Sequence, residues 1–251
     1  MKNLLVYPVG NSSTSHYVKI FLQQRGVPLV DHPTPEVSHL LLDVPSFGND
    51  RQLRGGGAPE RYLDMLPEYI TVVGGNLEHP ALDGYNKLDL LKDELYLAQN
   101  AAITAECALQ VAAPLMTTTF SGCPVLIIGW GRIGKCLGKL LQALGCNVTV
   151  AARKYTDRAM LRALGYQDAD PNQISCLLCD FRLIFNTVPS PILNREQLSP
   201  CRNCILIDLA SQKGMDGDDV IWARGLPGIH APESSGLLIA ETLLRLLKEE
   251  K

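Results

Sequence analysis

The sequence predicts an α/β protein with two domains, each containing a parallel sheet. Short apolar runs rich in Val, Ile and Leu alternate with amphipathic stretches, a pattern typical of buried parallel strands joined by helices. One of these runs leads directly into a glycine-rich turn. The chain has 251 residues, which allows two domains of about 100 to 150 residues with a core in each.

Residues 1–90 are predicted to form the smaller α/β domain. Strands are predicted at residues 4–7, 28–30, 39–43 and 70–73, and helices at about 15–25 and 59–66. Residues 46–57 are expected to form a loop that ends in three glycines. An alanine-rich helix over residues 91–116 then links the two domains.

The larger domain, residues 117–232, begins with the most informative stretch of the chain. The run at 125–128 is typical of a strand buried on both faces, and Gly129, Gly131 and Gly134 follow it. In this pattern the first glycine allows a tight turn, the second lets the backbone approach a pyrophosphate, and the third lets the next helix pack against the strand. A second strand at 147–150 completes the unit, so we predict a Rossmann dinucleotide-binding domain. The alternative is a glycine-rich turn without a ligand.

Free N–H groups at the start of the helix that follows the glycines would face the diphosphate. The residues predicted to contact the cofactor in this loop are Gly129, Trp130, Gly131, Arg132, Ile133 and Gly134.

The end of the second strand indicates which dinucleotide binds. An NAD site usually has Asp or Glu there, whereas this chain has Ala151 and Ala152, followed by Arg153 and Lys154. A guanidinium can bind a 2′-phosphate through two parallel hydrogen bonds. We therefore predict NADP as the cofactor, with NAD as the alternative. If the prediction is wrong, both cations are solvated residues on a surface turn.

The remaining elements of this domain follow the same alternation. Helices are predicted at 157–164 and 171–178, and strands at 182–185, 205–207 and 220–223. A C-terminal amphipathic helix over 233–251 is expected to pack on the N-terminal domain. Ligands of such sheets bind beyond the carboxyl ends of the strands. By this rule residues 225–228 join the candidate site, and five further residues are predicted to contact the cofactor. Those five are Thr187, Val188, Pro189, Asp208 and Ala210.

A second candidate site lies in the smaller domain, where a polar turn follows the first strand. Hydroxyls and free N–H groups at a helix start make a reasonable carboxylate cradle, although a polar turn with an N-cap is an equal alternative. The substrate contacts predicted here, and at the start of the C-terminal helix, are Ser12, Ser13, Thr14, Ser234 and Ser235.

Composition restricts the partners and the location. A net charge of −3 gives no support for nucleic acid or an anionic membrane as partner, and no apolar run approaches the ~18 residues that span a bilayer. A cytoplasmic protein with reduced cysteines is expected. The pairs at 176/179 and 201/204 have nearly the spacing of a zinc ribbon, but the first pair is expected at the end of a buried helix, so we predict no metal.

These motifs together resemble a known family, the A subunits of dipicolinate synthase, sporulation enzymes that oxidise dihydrodipicolinate to dipicolinate. The resemblance covers residues 95–245, and in the N-terminal domain it is limited to residues 39–43. The motifs are Thr104-Ala105-Glu106, the glycine turn at 129–134, Ala152-Arg153-Lys154, Asn186-Thr187-Val188-Pro189, Asp208-Leu209-Ala210-Ser211, Gly225-Leu226-Pro227-Gly228 and Ala231-Pro232-Glu233-Ser234-Ser235-Gly236.

The resemblance implies hydride transfer from a small dicarboxylate, with Thr104 and Glu106 as catalytic residues. Glu106 or an ordered water is the candidate acceptor of the departing proton, unless Glu106 is a helix-surface carboxylate. A flavoprotein partner, the B subunit of dipicolinate synthase, is also implied, and a homo-oligomer is expected. Two rival functions stay open: a non-catalytic NADP-binding relative, and a reductase of another small carboxylate.

The chain departs from the family in two places. The N-terminal domain is shorter, and a crossover helix is missing between Ser211 and Val220, so one face of the last strand is expected to be less well covered. Both changes affect the substrate side more than the cofactor side.

Overall fold

A computed structural model describes residues 4–201 and 203–249 and divides them into two compact units. The smaller unit contains the described residues up to Asn100 together with those from Pro227 onward, and the larger unit runs from Ala101 to Leu226. Helix α3, Glu94–Ala112, contains the point of division. In the described part of the chain, no helix is long and apolar enough to span a membrane.

The smaller unit is built on a four-stranded parallel sheet in the order β1-β2-β3-β4. Its core is formed by apolar side chains such as Leu40, Ile70 and Val72, each at most 1% exposed. The strands are Val6–Pro8, His39–Leu41, Thr71–Gly74 and Asn86–Asp89, and the helices before α3 are α1, Ser13–Gln24, and α2, Glu60–Leu63.

Helix α8, Pro232–Glu249, packs along α1 in the smaller unit. A Cβ on Gly236 would lie 2.9 Å from the carbonyl oxygen of Thr14, so the two backbones touch at this point. Five residues further along α8, Glu241 pairs with Arg25 at 2.8 Å, just past the end of α1. Since contacts advance along both helices together, α1 and α8 are parallel and their N-termini lie at the same end.

Asp93 connects the start of α3 to α8. Its carboxylate accepts a hydrogen bond of 2.7 Å from the backbone N–H of Tyr96 and forms an ion pair with Arg245 at 2.6 Å. Burial alone would raise the pKa of Asp93, but the hydrogen bonds from Tyr96 and Arg245 outweigh it and hold the pKa below 3.8. The ionised carboxylate therefore adds to the free energy of unfolding at pH values above 3.8. This stabilisation is lost as the pH falls through the lower pKa of the folded state.

We expect Asp93→Ala to lower the free energy of unfolding by about 1–2 kcal/mol at pH 7, because the helix loses its cap and Arg245 loses one of its two carboxylate partners, the other being Glu249. Urea titrations at neutral pH and below pH 3.8 measure this difference, which should shrink in acid. Asp83→Ala is the control, because its carboxylate is 78% exposed and pairs with Lys87 at 3.4 Å on the surface. If Asp93→Ala lowered the free energy of unfolding by the same amount at both pH values, the ionised carboxylate would not be the stabilising group.

The larger unit is built on a six-stranded sheet in the order β10-β9-β8-β5-β6-β7, with every neighbouring pair parallel. This is the doubly wound order of dinucleotide-binding sheets, with its switch point between β5 and β8. The strands are β5, Pro124–Ile128; β6, Asn147–Ala151; β7, Gln167–Ala169; β8, Leu183–Asn186; β9, Ile205–Asp208; and β10, Val220–Trp222. The helices are α4, Arg132–Ala143; α5, Tyr155–Ala163; and α6, Arg195–Leu198.

The predicted α/β fold class with parallel sheets is confirmed, and individual elements differ. The helix predicted at 171–178 is wrong, because this stretch forms two short 3₁₀ turns, Ile174–Cys176 and Leu178–Asp180. The stretch predicted at 28–30 makes a single bridge, Val6 to Leu29, and no strand. Helix α7, Leu226–His230, occupies a stretch predicted as a strand-end loop. The end of the predicted helix 233–251 falls on residues 250 and 251, which lie outside the described residues.

The connection from β9 to β10 contains no helix, as predicted. Met215 fills the space beside the sheet with a fully buried side chain, and its backbone bridges to Leu193. On β10, however, Ile221 and Trp222 are 37% and 42% exposed. The short crossover thus buries its own apolar residue and leaves the edge strand partly uncovered.

Candidate functional site

The glycine turn after β5 has the geometry that a pyrophosphate requires. Gly129 has a φ of +105°, which only glycine adopts readily, and a Cβ there would overlap the hydroxyl of Thr187. A Cβ on Gly134 would overlap the carbonyl oxygen of Gly129, so α4 is packed against the turn. A Cβ on Gly131 would meet nothing within 4 Å, which leaves open space for a ligand. This combination fits a dinucleotide.

Gly131 is also the N-cap of α4 and provides no side-chain acceptor for the helix. The first backbone N–H groups of α4 therefore have no side-chain cap, and the positive end of the helix dipole is available to an anion. The flanking residues predicted as cofactor contacts, Trp130, Arg132 and Ile133, lie in this same turn and first helical turn.

The loop after β8 is held against the glycine turn. Thr187 donates its hydroxyl proton to the carbonyl oxygen of Ile128 at 3.0 Å, across the switch point of the sheet. Asn186 is fully buried; its side-chain oxygen accepts from the N–H of Val188, and its amide donates to the carbonyl of Val188, at 3.0 and 3.1 Å. These bonds fix the predicted contacts Thr187, Val188 and Pro189 beside the glycine turn.

Asp208, at the end of β9, has a fully buried carboxylate surrounded by donors. One oxygen accepts from the Asn186 side chain and from the N–H of Ala210, both at 3.0 Å. The other accepts from the N–H groups of Gly214 and Met215 at 2.7 and 2.9 Å. All four bonds come from the protein, so the structure places Asp208 as an anchor for the strand-end loops, with Ala210 directly held by it.

The end of β6 carries the predicted 2′-phosphate residues. Ala151 and Ala152 are buried, while Arg153 and Lys154 are exposed. Within the described part of the chain, neither of these cations makes a side-chain hydrogen bond or an ion pair. Lys154 is the N-cap of α5, which has no side-chain cap, so the first N–H groups of α5 face the same surface.

The carboxylates on and just after the neighbouring strand β7 form ion pairs with arginines of α5. Asp168 pairs with Arg162 at 2.7 Å, and Asp170 pairs with Arg158 at 2.6 Å. Hydrogen bonds from the N–H of Asn172 and from Arg158 hold the pKa of Asp170 below its usual range. Within the described residues, the unpaired cations at this edge are therefore Arg153 and Lys154, whereas the two arginines of α5 are paired.

Helix α3 carries Thr104 and Glu106 in the larger unit. Thr104 is 8% exposed, whereas Glu106 is exposed. Two residues apart on a helix, they lie on different faces, as their spacing predicts. The structure therefore does not bring these two candidate catalytic side chains together.

The candidate substrate residues all lie in the smaller unit. Ser12 is the N-cap of α1, with Ser13 and Thr14 in its first turn, and Ser234 and Ser235 lie in the first turns of the parallel helix α8. The contact between Gly236 and Thr14 places the two helix starts side by side. Ser13 and Ser234 are exposed, while Thr14 and Ser235 are 8% and 6% exposed.

One residue of this site, Asp43, was not a predicted contact. It follows β2, and its carboxylate accepts the hydroxyl protons of Ser12, at 2.7 Å, and of Ser15. The serines are separated from Asp43 by 31 and 28 positions, so local sequence patterns do not reveal the contact. The sequence points to Asp43 only through the resemblance of residues 39–43 to the family, and that resemblance does not indicate a function for these residues.

Three of the cysteines lie at the amino edge of the large sheet. Cys123 and Cys146 precede the paired strands β5 and β6, and Cys204 precedes β9. Burial raises the pKa of the Cys146 thiol to about 11 and of the Cys204 thiol to about 12. Among the described residues, no group of three or more metal-ligating side chains is arranged to hold an ion. The absence of zinc stays a prediction for elemental analysis.

Comparison with known proteins defines the class first. Residues 96–223 match the family of D-isomer specific 2-hydroxyacid dehydrogenases, NAD binding domain. With the glycine turn and the sheet order, this makes the protein a dehydrogenase-type oxidoreductase that uses a nicotinamide dinucleotide. The chain is also 30% identical to the A subunit of dipicolinate synthase from Bacillus subtilis strain 168 over 203 residues, which are 75% of this chain and 68% of the relative. It belongs to the family of dipicolinate synthase A subunits, which confirms the resemblance.

Solved structures agree on the fold. The crystal structure of the A subunit of dipicolinate synthase from Bacillus halodurans has a TM-score of 0.85 at 22% identity, with 98% of each chain covered. Transhydrogenase from Sinorhizobium meliloti has a TM-score of 0.73 at 14% identity, covering 98% of this chain and 94% of the other. At these identities the similarity establishes the fold.

Proposed function

We propose that the protein oxidises dihydrodipicolinate to dipicolinate, with NADP⁺ as the hydride acceptor. Membership of the family supports the reaction. The observation that carries the substrate class is the parallel pair α1 and α8, whose N-termini lie together in the smaller unit. Two helix N-termini at one place give a positive potential that suits a dianion, and hydroxyls surround it.

The preference for NADP is supported by the end of β6. Arg153 is exposed and unpaired within the described chain, and the first turn of α5 adds free N–H groups beside it. A phosphate is a better ligand for this surface than a ribose hydroxyl, since no unpaired carboxylate is present on the described part of β6 or β7 to accept from the ribose. Lys154 adds a second cation to the proposed site.

The chemistry requires positioning more than activation. Loss of a hydride and a proton turns the dihydropyridine into an aromatic ring, so the step is strongly downhill and correct placement of the substrate is the main requirement. We propose Glu106, exposed on α3, as the acceptor of the proton, with an ordered water as the alternative. The buried Thr104 is then a positioning residue of the same helix.

Turnover tests this function. The expected result is NADPH formation at 340 nm when dihydrodipicolinate and NADP⁺ are mixed with the protein, together with dipicolinate detected as product. Binding of NADPH without turnover would favour the non-catalytic relative, and a thermal shift by a different carboxylate would favour a reductase of that compound. The proposed partners are a second copy of the chain and a flavoprotein corresponding to the B subunit of dipicolinate synthase, and the proposed location is the cytoplasm.

Dicarboxylate binding provides a prediction at the level of residues. We expect Ser13→Ala and Ser235→Ala each to raise the Kd of dipicolinate about 5- to 10-fold, since each removes a hydroxyl near a helix start. Calorimetry on the NADP-saturated protein measures it, with Ser121→Ala, an exposed serine of the larger unit, as control. Unchanged affinity in both variants would refute the proposed position of the substrate.

A further inference from the structure

Asp43 is the centre of the hydrogen-bond network at the start of α1. Its Oδ1 accepts from the hydroxyl of Ser12 at 2.7 Å and from the hydroxyl of Ser15. Ser12 Oγ in turn accepts the backbone N–H of Ser15 at 3.1 Å, which is the N-cap bond of the helix. Asp43 Oδ2 is buried, and it has no hydrogen-bond partner within the described chain.

This network decides what the serine hydroxyls can offer to a ligand. Each hydroxyl has one proton, and both protons are directed into the cluster, either at Asp43 or, for Ser12, also within 3.1 Å of Ser15 Oγ. Neither hydroxyl can therefore donate to a bound carboxylate. The donors that remain for a ligand are the backbone N–H groups of Ser13 and Thr14, the first two positions of α1, which have no acceptor within the helix.

The backbone of Gly10 packs directly against the Ser15–Asp43 pair of the network. A Cβ on Gly10 would overlap Ser15 Oγ and lie 2.7 Å from Asp43 Oδ1. On the other side, a Cβ on Gly55 would lie 3.2 Å from the Cα of Gly10, so the next loop closes over this turn. Gly10, itself backed by Gly55, thus closes one side of the Ser12–Asp43–Ser15 cluster, and the hydrogen bonds of the cluster hold the first turn of α1.

We propose that Asp43 is a positioning residue of the substrate site: it turns the hydroxyl protons of Ser12 and Ser15 inward and fixes the amides of Ser13 and Thr14 as donors to one carboxylate of the substrate. This inference rests on the proposed function. It also assigns a role to the 39–43 motif. Asp43 has two opposite effects on the binding of an anionic ligand. Its hydrogen bonds favour binding because they hold the helix start, and its negative charge disfavours binding because it repels the ligand. Asn at this position retains an acceptor without the charge, so the two effects can be separated.

Calorimetry with dipicolinate on the NADP-saturated protein tests the proposal. We expect Asp43→Ala to raise the Kd of dipicolinate by about 10-fold or more, because two charge-assisted hydrogen bonds are lost and the helix start is released. Asp43→Asn should bind at least as tightly as the wild type. The Kd of NADPH should stay within about 2-fold in both, because Asp43 is in the other unit. Asp50→Ala is the matched control, since its carboxylate accepts from the N–H of Gln52 in an exposed turn of the same unit.

The outcomes separate this inference from the proposed function. Failure of the wild type to bind dipicolinate overturns both. Binding by the wild type that Asp43→Ala leaves unchanged, or that Asp43→Asn weakens as much as Asp43→Ala, overturns the positioning role alone. If Asp43→Ala does not fold, Gly10→Ala displaces the same pair, and it should weaken dipicolinate binding with NADPH binding retained.

Discussion

Arg153→Ala is expected to raise the Kd of NADPH about 10- to 150-fold and to leave the Kd of NADH within about 2-fold. The difference corresponds to roughly 1.5–3 kcal/mol, the range for hydrogen bonds to a charged group. The reason is that Arg153 is exposed at the end of β6 without a partner in the described chain, while the arginines of α5 are occupied by Asp168 and Asp170. Calorimetry with both reduced cofactors measures the change.

Two variants sharpen this test. Arg153→Lys keeps the charge but loses the two-pronged geometry, so its NADPH affinity should lie between the wild type and Arg153→Ala. Arg195→Ala removes an exposed guanidinium that pairs with Asp218 and should leave both affinities unchanged. Equal affinities for NADH and NADPH in the wild type would show that the two cations are solvated surface residues.

Asp208→Ala is expected to lower the free energy of unfolding by about 3 kcal/mol or more. The substitution leaves four donors unsatisfied, of which the N–H groups of Gly214 and Met215 lie in a buried loop. Asp208→Asn has the same volume, but its amide would place a donor against donors, so it should also be destabilising. Urea unfolding measures the loss.

The control for Asp208 is Asp219→Ala, an exposed carboxylate in the same connection. Its effect should stay within about 0.5 kcal/mol. If Asp208→Ala retained full stability and lost only cofactor affinity, its carboxylate would be a direct ligand, contrary to the anchoring role that its four hydrogen bonds indicate.

The elements that were predictable from the sequence are those whose pattern is local. The run before Gly129 is apolar on both faces because β5 lies in the middle of the sheet, and the glycine spacing has a direct steric meaning. Strands β4 and β7 escaped prediction because they are edge strands, short and polar: β4 begins with the exposed Asn86 and Lys87. Such strands form by backbone pairing with one neighbouring strand, and this pairing requires no apolar pattern that could be recognised in the sequence.

The candidate sites follow the same division. The residues around the cofactor turn belong to strand ends, and the topology of a parallel sheet brings strand ends together. The serine loop was recognisable as a helix start, but the hydroxyls of Ser12 and Ser15 donate to Asp43, which follows a different strand of the chain. Likewise three of the four bonds of Asp208 come from the connection between β9 and β10, whose conformation the sequence does not specify, and the fourth comes from Asn186 at the end of β8.

The position of α8 also has a consequence for biosynthesis. The larger unit is one continuous stretch, whereas the smaller unit needs residues from both sides of it. A ribosome adds roughly 5–20 residues per second, and domains generally fold as units during synthesis. Here the smaller unit has all four strands of its sheet early but stays incomplete, because helix α1, with the buried Val18 and Leu22, is not covered until α8, with Ile239 and Leu243, has been translated. The unit that is synthesised second is therefore the first that can finish folding.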